Sequence, residues 1–180
     1  MIVKRLAWFL ILGLSACSTT EEQVIELLEQ MAAHPIDSPG WQDAVDQLAA
    51  IGRPAARQLV ARLNPALYTG EDYREFRDEH EKLRTGCARA LGHIKPRGAA
   101  GALQVRISAS YTNDERIACL WSMGEIGYSQ SALDAAKAQL EDQDPAIRIH
   151  AAIATLKMDD DLGTSEIESA LTSTKETLVQ

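Results

Sequence analysis

The residues able to do chemistry are few, and most of them recur at one interval. Arg84, Arg116 and Arg148 stand 32 residues apart. Cys87 and Cys119 share that spacing with Ala151, Ala90 and Ser122 share it with Ala154, and Ile94 and Ile126 share it with Met158. Gly92 and Gly124 fill a further column, which Leu156 breaks. Self-similarity at this period marks one supersecondary unit stacked on its copies, because a single unit cannot bury its own apolar face. Matching positions of stacked repeats lie roughly 8–10 Å apart, beyond the about 7 Å between Cα atoms that a disulfide spans. Cys87 and Cys119 therefore read as small buried thiols in a column shared with alanine.

Other chemistry is sparse. His80-Glu81 could contribute to a metal site, but His34, His93 and His150 are followed by Pro, Ile and Ala, so the dyad stands once. A single His among carboxylates is an ordinary solvated helix face. There is no glycine-rich phosphate loop, no cysteine pair at metal spacing and no nucleophile elbow. The expectation is a protein without catalytic residues, metal or cofactor. Net charge is −8, and losing Lys4 and Arg5 with a leader makes the chain more acidic still. That sign opposes broad contact with phosphate backbones, so nucleic acid is not an expected partner.

Residues 1–16 have the parts of a secretory signal: Lys4 and Arg5, an apolar run from Leu6 to Leu14, then small residues. The run is shorter than the about 20 residues that span a bilayer as helix. Leu14-Ser15-Ala16-Cys17 resembles the lipobox of bacterial lipoproteins. That resemblance implies cleavage before Cys17, acylation of its thiol and amino group, and a stable membrane anchor, since two or more acyl chains hold where one is marginal. By resemblance to enterobacterial lipoprotein sorting, Ser18 in place of Asp favours the outer membrane over the inner, facing the periplasm. Residues 17–20 make a short tether. Thr20 with Gln23 reads as a capping box, so helix begins roughly 10 Å of chain beyond the lipid.

Composition, rich in Ala, Leu, Gln and Glu, favours an all-α domain over residues 21–180. A first helix is expected from about Glu21 to Ala33. Ser38 and Pro39 then open a helix carrying Trp41, Val45, Leu48 and Ile51; Gly52 ends it and Pro54 starts the next, with Ala56, Leu59, Val60 and Leu63 as its apolar stripe. From Ile51 to Ile94 is 43 residues, 11 more than the later period, and the excess at about 65–75 is an insertion holding Tyr68 and Tyr73, with Phe76 just beyond. One long helix is expected from Glu71 to His93, its charged first half in solvent. Gly98 to Ser110 pairs with it, and the small residues Gly98, Ala99, Ala100, Gly101 and Ala102 suggest close packing there. Asp114–Ile126 pairs with Ser129–Leu140, Asp144-Pro145 opens the next helix, and about 164–178 reads as a closing cap.

The run Asp144-Pro145-x-x-Arg148-x-x-Ala151-Ala152-x-Ala154-x-Leu156 resembles the HEAT repeat, closest to the short subtype of phycobilisome lyases. Further copies begin at Arg84 and Arg116 and end at Ile94 and Ile126, and a weaker one, without the Arg, starts at Trp41. The resemblance implies a short right-handed α-solenoid of about four helical hairpins, with an N-terminal helix and a C-terminal capping helix. It implies that Arg84, Arg116 and Arg148 tie their helices to acidic or carbonyl groups of the adjacent repeat. HEAT-type iron hydroxylases use several His-Glu dyads, where this chain has one. Fold alone does not assign activity.

In such arrays the second helix of each repeat usually lines the concave side. Here those helices offer Arg57, Arg62, Arg97, Gln104, Arg106 and Lys137, a basic strip on an acidic protein that suits an acidic protein segment or a polyanionic envelope component. The insertion with Tyr68, Tyr73 and Phe76 would add an edge contact. The function expected is a lipid-anchored adaptor of the bacterial envelope that binds another envelope protein. The alternatives are a bilin-lyase-like enzyme and a purely structural lipoprotein.

Overall fold

A computed structural model describes residues 19–67, 76–110 and 112–158, together with residues 168 and 172. Among the described residues every regular element is a helix: α1 (Thr20–Ala33), α2 (Pro39–Ile51), α3 (Arg53–Arg62), α4 (Arg77–Ile94), α5 (Ala100–Ala109), α6 (Asn113–Ile126), α7 (Gln130–Lys137) and α8 (Pro145–Met158). Short 3₁₀ turns, Pro65–Leu67 and Arg97–Ala99, precede α4 and α5.

Local chemistry sets most of these boundaries. The Ser38 hydroxyl accepts from the Trp41 amide, with Pro39 in the first turn, and opens α2. Gly52, at φ +74°, both ends α2 and starts α3, a backbone conformation that side chains with a Cβ rarely adopt. Asp144 caps α8, its Oδ1 accepting from the Ala146 amide at 2.7 Å. Two expectations shift. The capping box is Thr19 with Glu22, not Thr20 with Gln23: Thr19 Oγ1 accepts from the Glu22 amide at 3.3 Å, and the Glu22 carboxylate from the Thr19 amide at 2.7 Å. A carboxylate is the stronger acceptor for that return bond, and the acidic end suits a helix N-terminus. Helix α4 starts at Arg77 instead of Glu71, because Phe76 sits at φ −107°, ψ 25°, outside helical geometry.

The first helices of the repeats stack in order, α2 on α4 on α6 on α8. Helices α3, α5 and α7 form a second layer against them, and α1 covers the free side of α2 and α4. One apolar core runs through the array, from Val24, Leu28 and Met31 through Trp41, Leu59, Leu91 and Leu120 to Ile147 and Ala151. The result is a HEAT-like α-solenoid.

Glycine sets the stacking distance. A Cβ on Gly92 would lie 2.4 Å from the Trp121 ring and 2.7 Å from Ser122 Oγ, and one on Gly124 would lie 3.1 Å from Ala154 Cα. Both contacts join a glycine to a residue 30 positions on, so the glycine column is where each helix meets its next copy. Leu156 ends the column and is 41% exposed. The close packing expected at Gly98 and Gly101 is absent, since a Cβ at either would meet nothing within 4 Å. These two glycines face open space, while Ala99 and Ala100 between them are buried. Opposite outcomes are therefore expected from one substitution. Gly92→Ala should lose about 1–3 kcal/mol through overpacking. Gly101→Ala should gain about 0.4–1 kcal/mol from reduced unfolded-chain entropy. Urea midpoints would check both, and a Gly92→Ala variant as stable as the parent would refute the stacking role.

Candidate functional site

Helix α3 (RPAARQLVAR) carries Arg53, Arg57 and Arg62 and no acid; the stretch from Arg97 to Ala109 carries Arg97 and Arg106 and no acid. Arg57, Arg62 and Arg97 are exposed, and Gln104 and Lys137 are half-buried. A cleft of about 290 Å³ is lined by Val60, Ala61, Leu63 and Asn64 at α3 and by Ala102 and Val105 of α5. Val105 is 52% exposed. Arg57 lies one turn before Val60 and Ala61 on the same face of α3, so a guanidinium flanks the apolar floor. Phe76, 43% exposed, stands at the start of α4. Cys17, Tyr68, Tyr73, the leader 1–16, most of the insertion and all but two residues of the expected cap at 164–178 lie outside the described residues.

Arg106 does not belong to this surface. It is 2% exposed, and its Nε donates to Glu115 Oε1, the same oxygen that accepts from Arg84 Nε at 2.9 Å. Ser110 Oγ donates to the other oxygen at 2.9 Å. The reason lies in helical phase: Ala100, Leu103, Arg106 and Ile107 share the stripe of α5 that turns inward, so the side chain enters the core and its charge must be neutralised there.

The arginine row is built into the stack. Arg84 ties α4 to Glu115 of α6. Arg116 donates to Gln139 and Asp142 after α7, and Arg148 to the carbonyls of Asp142 and Gln143 at 2.6 and 3.0 Å, all in the segment joining α7 to α8, so of these contacts only that of Arg84 reaches a helix of the adjacent repeat as expected. Burial alone would raise the Asp142 carboxyl, but hydrogen bonds from Arg116 and the Asp144 amide, with the charges of Arg116 and Arg148, hold it below the usual range. Glu125 bridges Lys157 of α8 and Lys95 beyond α4, and their hydrogen bonds lower its carboxyl.

Cys87 and Cys119 are free and fully buried. Burial pushes the Cys87 thiol up to about 12 and raises Cys119 as well, so neither is a thiolate near neutral pH. Burial, then the charge of Arg84, lowers the His80 imidazole. Among the described residues no three or more His, Cys, Asp or Glu gather as a metal site, and no helix is long and apolar enough to cross a membrane.

Sequence reasoning missed Val105 and the cleft it lines. The available signal was an apolar residue off the buried stripe of α5, between Gln104 and Arg106.

Residues 74–157 match the family model for HEAT repeats. The match covers α4 to α8 and supports a HEAT-repeat protein. HEAT repeats suggest a protein-interaction scaffold and are typically non-catalytic. No curated protein matches the chain.

Proposed function

We propose that this chain is a non-catalytic adaptor, held to the periplasmic face of the outer membrane by lipid on Cys17, that binds an acidic segment of another envelope protein along α3 and α5. The observation that carries the reading is the charge separation. In a chain of net charge −8, α3 and the turn before α5 expose Arg57, Arg62 and Arg97, α3 and α5 line an apolar cleft, and none of these segments carries an acid. An acidic segment with an apolar side chain would satisfy both features. The charge sets approach and register, and the desolvated apolar contact slows dissociation. The anchor rests on Leu14-Ser15-Ala16-Cys17, and it would raise the effective concentration of any partner held in the same membrane.

The test compares the full chain with Cys17→Ala and with an Arg57→Glu/Arg97→Glu pair, using crosslinking in native membranes followed by mapping of the crosslinked peptide. Cys17→Ala should move the protein to the soluble fraction and abolish incorporation of a labelled fatty acid. The charge-reversed pair should keep its urea midpoint and lose about tenfold or more in partner affinity, the effect of about 1.4 kcal/mol. Arg106 is left in place because its reversal would break the buried network. A partner retained by the charge-reversed pair, or crosslinked through a basic segment, overturns the assignment of this surface.

A further inference from the structure

A second cleft lies elsewhere in the stack, with no lining residue from α3, α5 or α7. It measures about 260 Å³ and is lined by Gln42 of α2, Arg89 and His93 of α4, Ile117 and Trp121 of α6, and His150 of α8. Four helices separated by up to 108 residues in sequence thus converge on one hollow. Its walls combine an aromatic face, an aliphatic side chain, an amide, two imidazoles and a guanidinium, and no carboxylate lines it. Trp121 is held by the edge of His93, with ring centroids 5.0 Å apart and planes at 61°. Arg89 is held across the Trp41 ring, its Cζ 5.1 Å from the centroid.

From these groups we infer a binding site for a small aromatic carboxylate, its ring against Trp121 and Ile117 and its carboxylate directed to Arg89, with His150 and Gln42 as neutral hydrogen-bonding groups. A metal ion fits less well. Two imidazoles alone make a poor ligand set, and the adjacent guanidinium opposes a divalent cation. Burial, then Arg89, lowers the His150 imidazole, which agrees with a neutral ring that can donate or accept. Asp37, from the loop before α2, already pairs with Arg89 through Nη1. That carboxylate is 62% exposed, and ion pairs so open to water contribute little, so an incoming carboxylate competes on nearly even terms. The volume corresponds to about nine waters at about 30 Å³ each, room for one ring with a short acid arm. A ligand that size in an open cleft should bind weakly, with Kd on the order of 1–10 mM. The same chemistry could come from a free aryl acid or from the C-terminal aromatic residue of a peptide. The site does not depend on the adaptor reading.

The experiment is a titration of the full chain in detergent, followed by the Trp121 indole N–H and the imidazole C–H resonances, with Trp121→Phe assigning the indole peak. The probes are phenylacetate, benzyl alcohol as the uncharged ring, cyclohexylacetate as the acid without an aromatic ring, and a short peptide ending in Phe with a free or amidated terminus. Phenylacetate should give a saturable shift, with both control compounds at least several-fold weaker. A free-terminus peptide that binds more tightly than phenylacetate identifies a chain end as the source; the reverse order identifies a free acid. Arg89→Gln should lose about tenfold in affinity. Gln42→Glu should also weaken phenylacetate by placing a second carboxylate at the cleft, and its urea midpoint is followed beside it because the change gives up the Gln42 Nε2 donation to Asp46 at 3.1 Å. No saturable shift with phenylacetate or peptide, equal binding of benzyl alcohol, or full affinity in Gln42→Glu overturns the site.

Discussion

Glu115→Ala is expected to lose about 3–5 kcal/mol of folding stability, the range for removing one partner from a buried ion pair. The side chain is fully buried, and it serves two guanidiniums that are each 2% exposed. Arg84 of α4 and Arg106 of α5 both donate to Oε1, so one carboxylate of α6 fastens two helices of the preceding repeat. Its removal would leave two cations facing each other in the core, and desolvation penalises each of them. Arg106→Met makes the comparison that separates this account from simple loss of packing. It deletes one cation and leaves Arg84 with Glu115 as a balanced pair, so its cost should be that of a hydrogen bond to a charged group, about 1.5–3 kcal/mol. Urea midpoints at constant slope would measure both. If Arg106→Met costs as much as Glu115→Ala, the carboxylate is not balancing two charges and the network has been misread.

This network shows where the sequence could be read and where it could not. The 32-residue columns carried the stack, because each repeat makes the same contacts and so repeats the same residue types. Caps at Ser38, Gly52 and Asp144 were legible because capping is decided within a few residues. Glu115 left a trace: its column holds Leu83 and Ile147, both buried, so an acid there demands a cation in the core. The phase of α5 likewise put Arg106 on the inward stripe. Reading it as a surface residue followed charge and neglected periodicity. Composition misled at Gly98 and Gly101, since a small residue permits close approach without requiring it. The cleft at Trp121 had the faintest signal. Its walls come from four helices, and only the column Arg89, Trp121 and Ile153, large residues on an outward face, hinted at it. The α3–α5 cleft depends on the spacing of two helices that no local pattern encodes.

Trp41→Ala should cost about 3–5 kcal/mol, and the loss should fall on one end of the molecule. Trp41 is fully buried in α2, its indole Nε1 donates to the Lys82 carbonyl of α4 at 3.1 Å, and Arg89 of α4 lies over its ring. It therefore joins the first repeat to the second by packing, a hydrogen bond and a cation–π contact. Stability in stacked arrays is approximately a sum of repeat terms and nearest-neighbour interfaces. Weakening the α2–α4 interface should release α1, α2 and α3 while Glu115 still fastens α4, α5 and α6. Hydrogen exchange would then show α2 and α3 amides opening about 100- to 4,000-fold more often, with α6 and α8 close to the parent. Trp41→Phe retains most of the apolar volume and loses the indole donor, so its effect should be in the same helices and smaller. A uniform rise in exchange across α2 to α8 would instead mean that the array unfolds as one cooperative unit, with the Glu115 network unable to hold the second and third repeats once the first has gone.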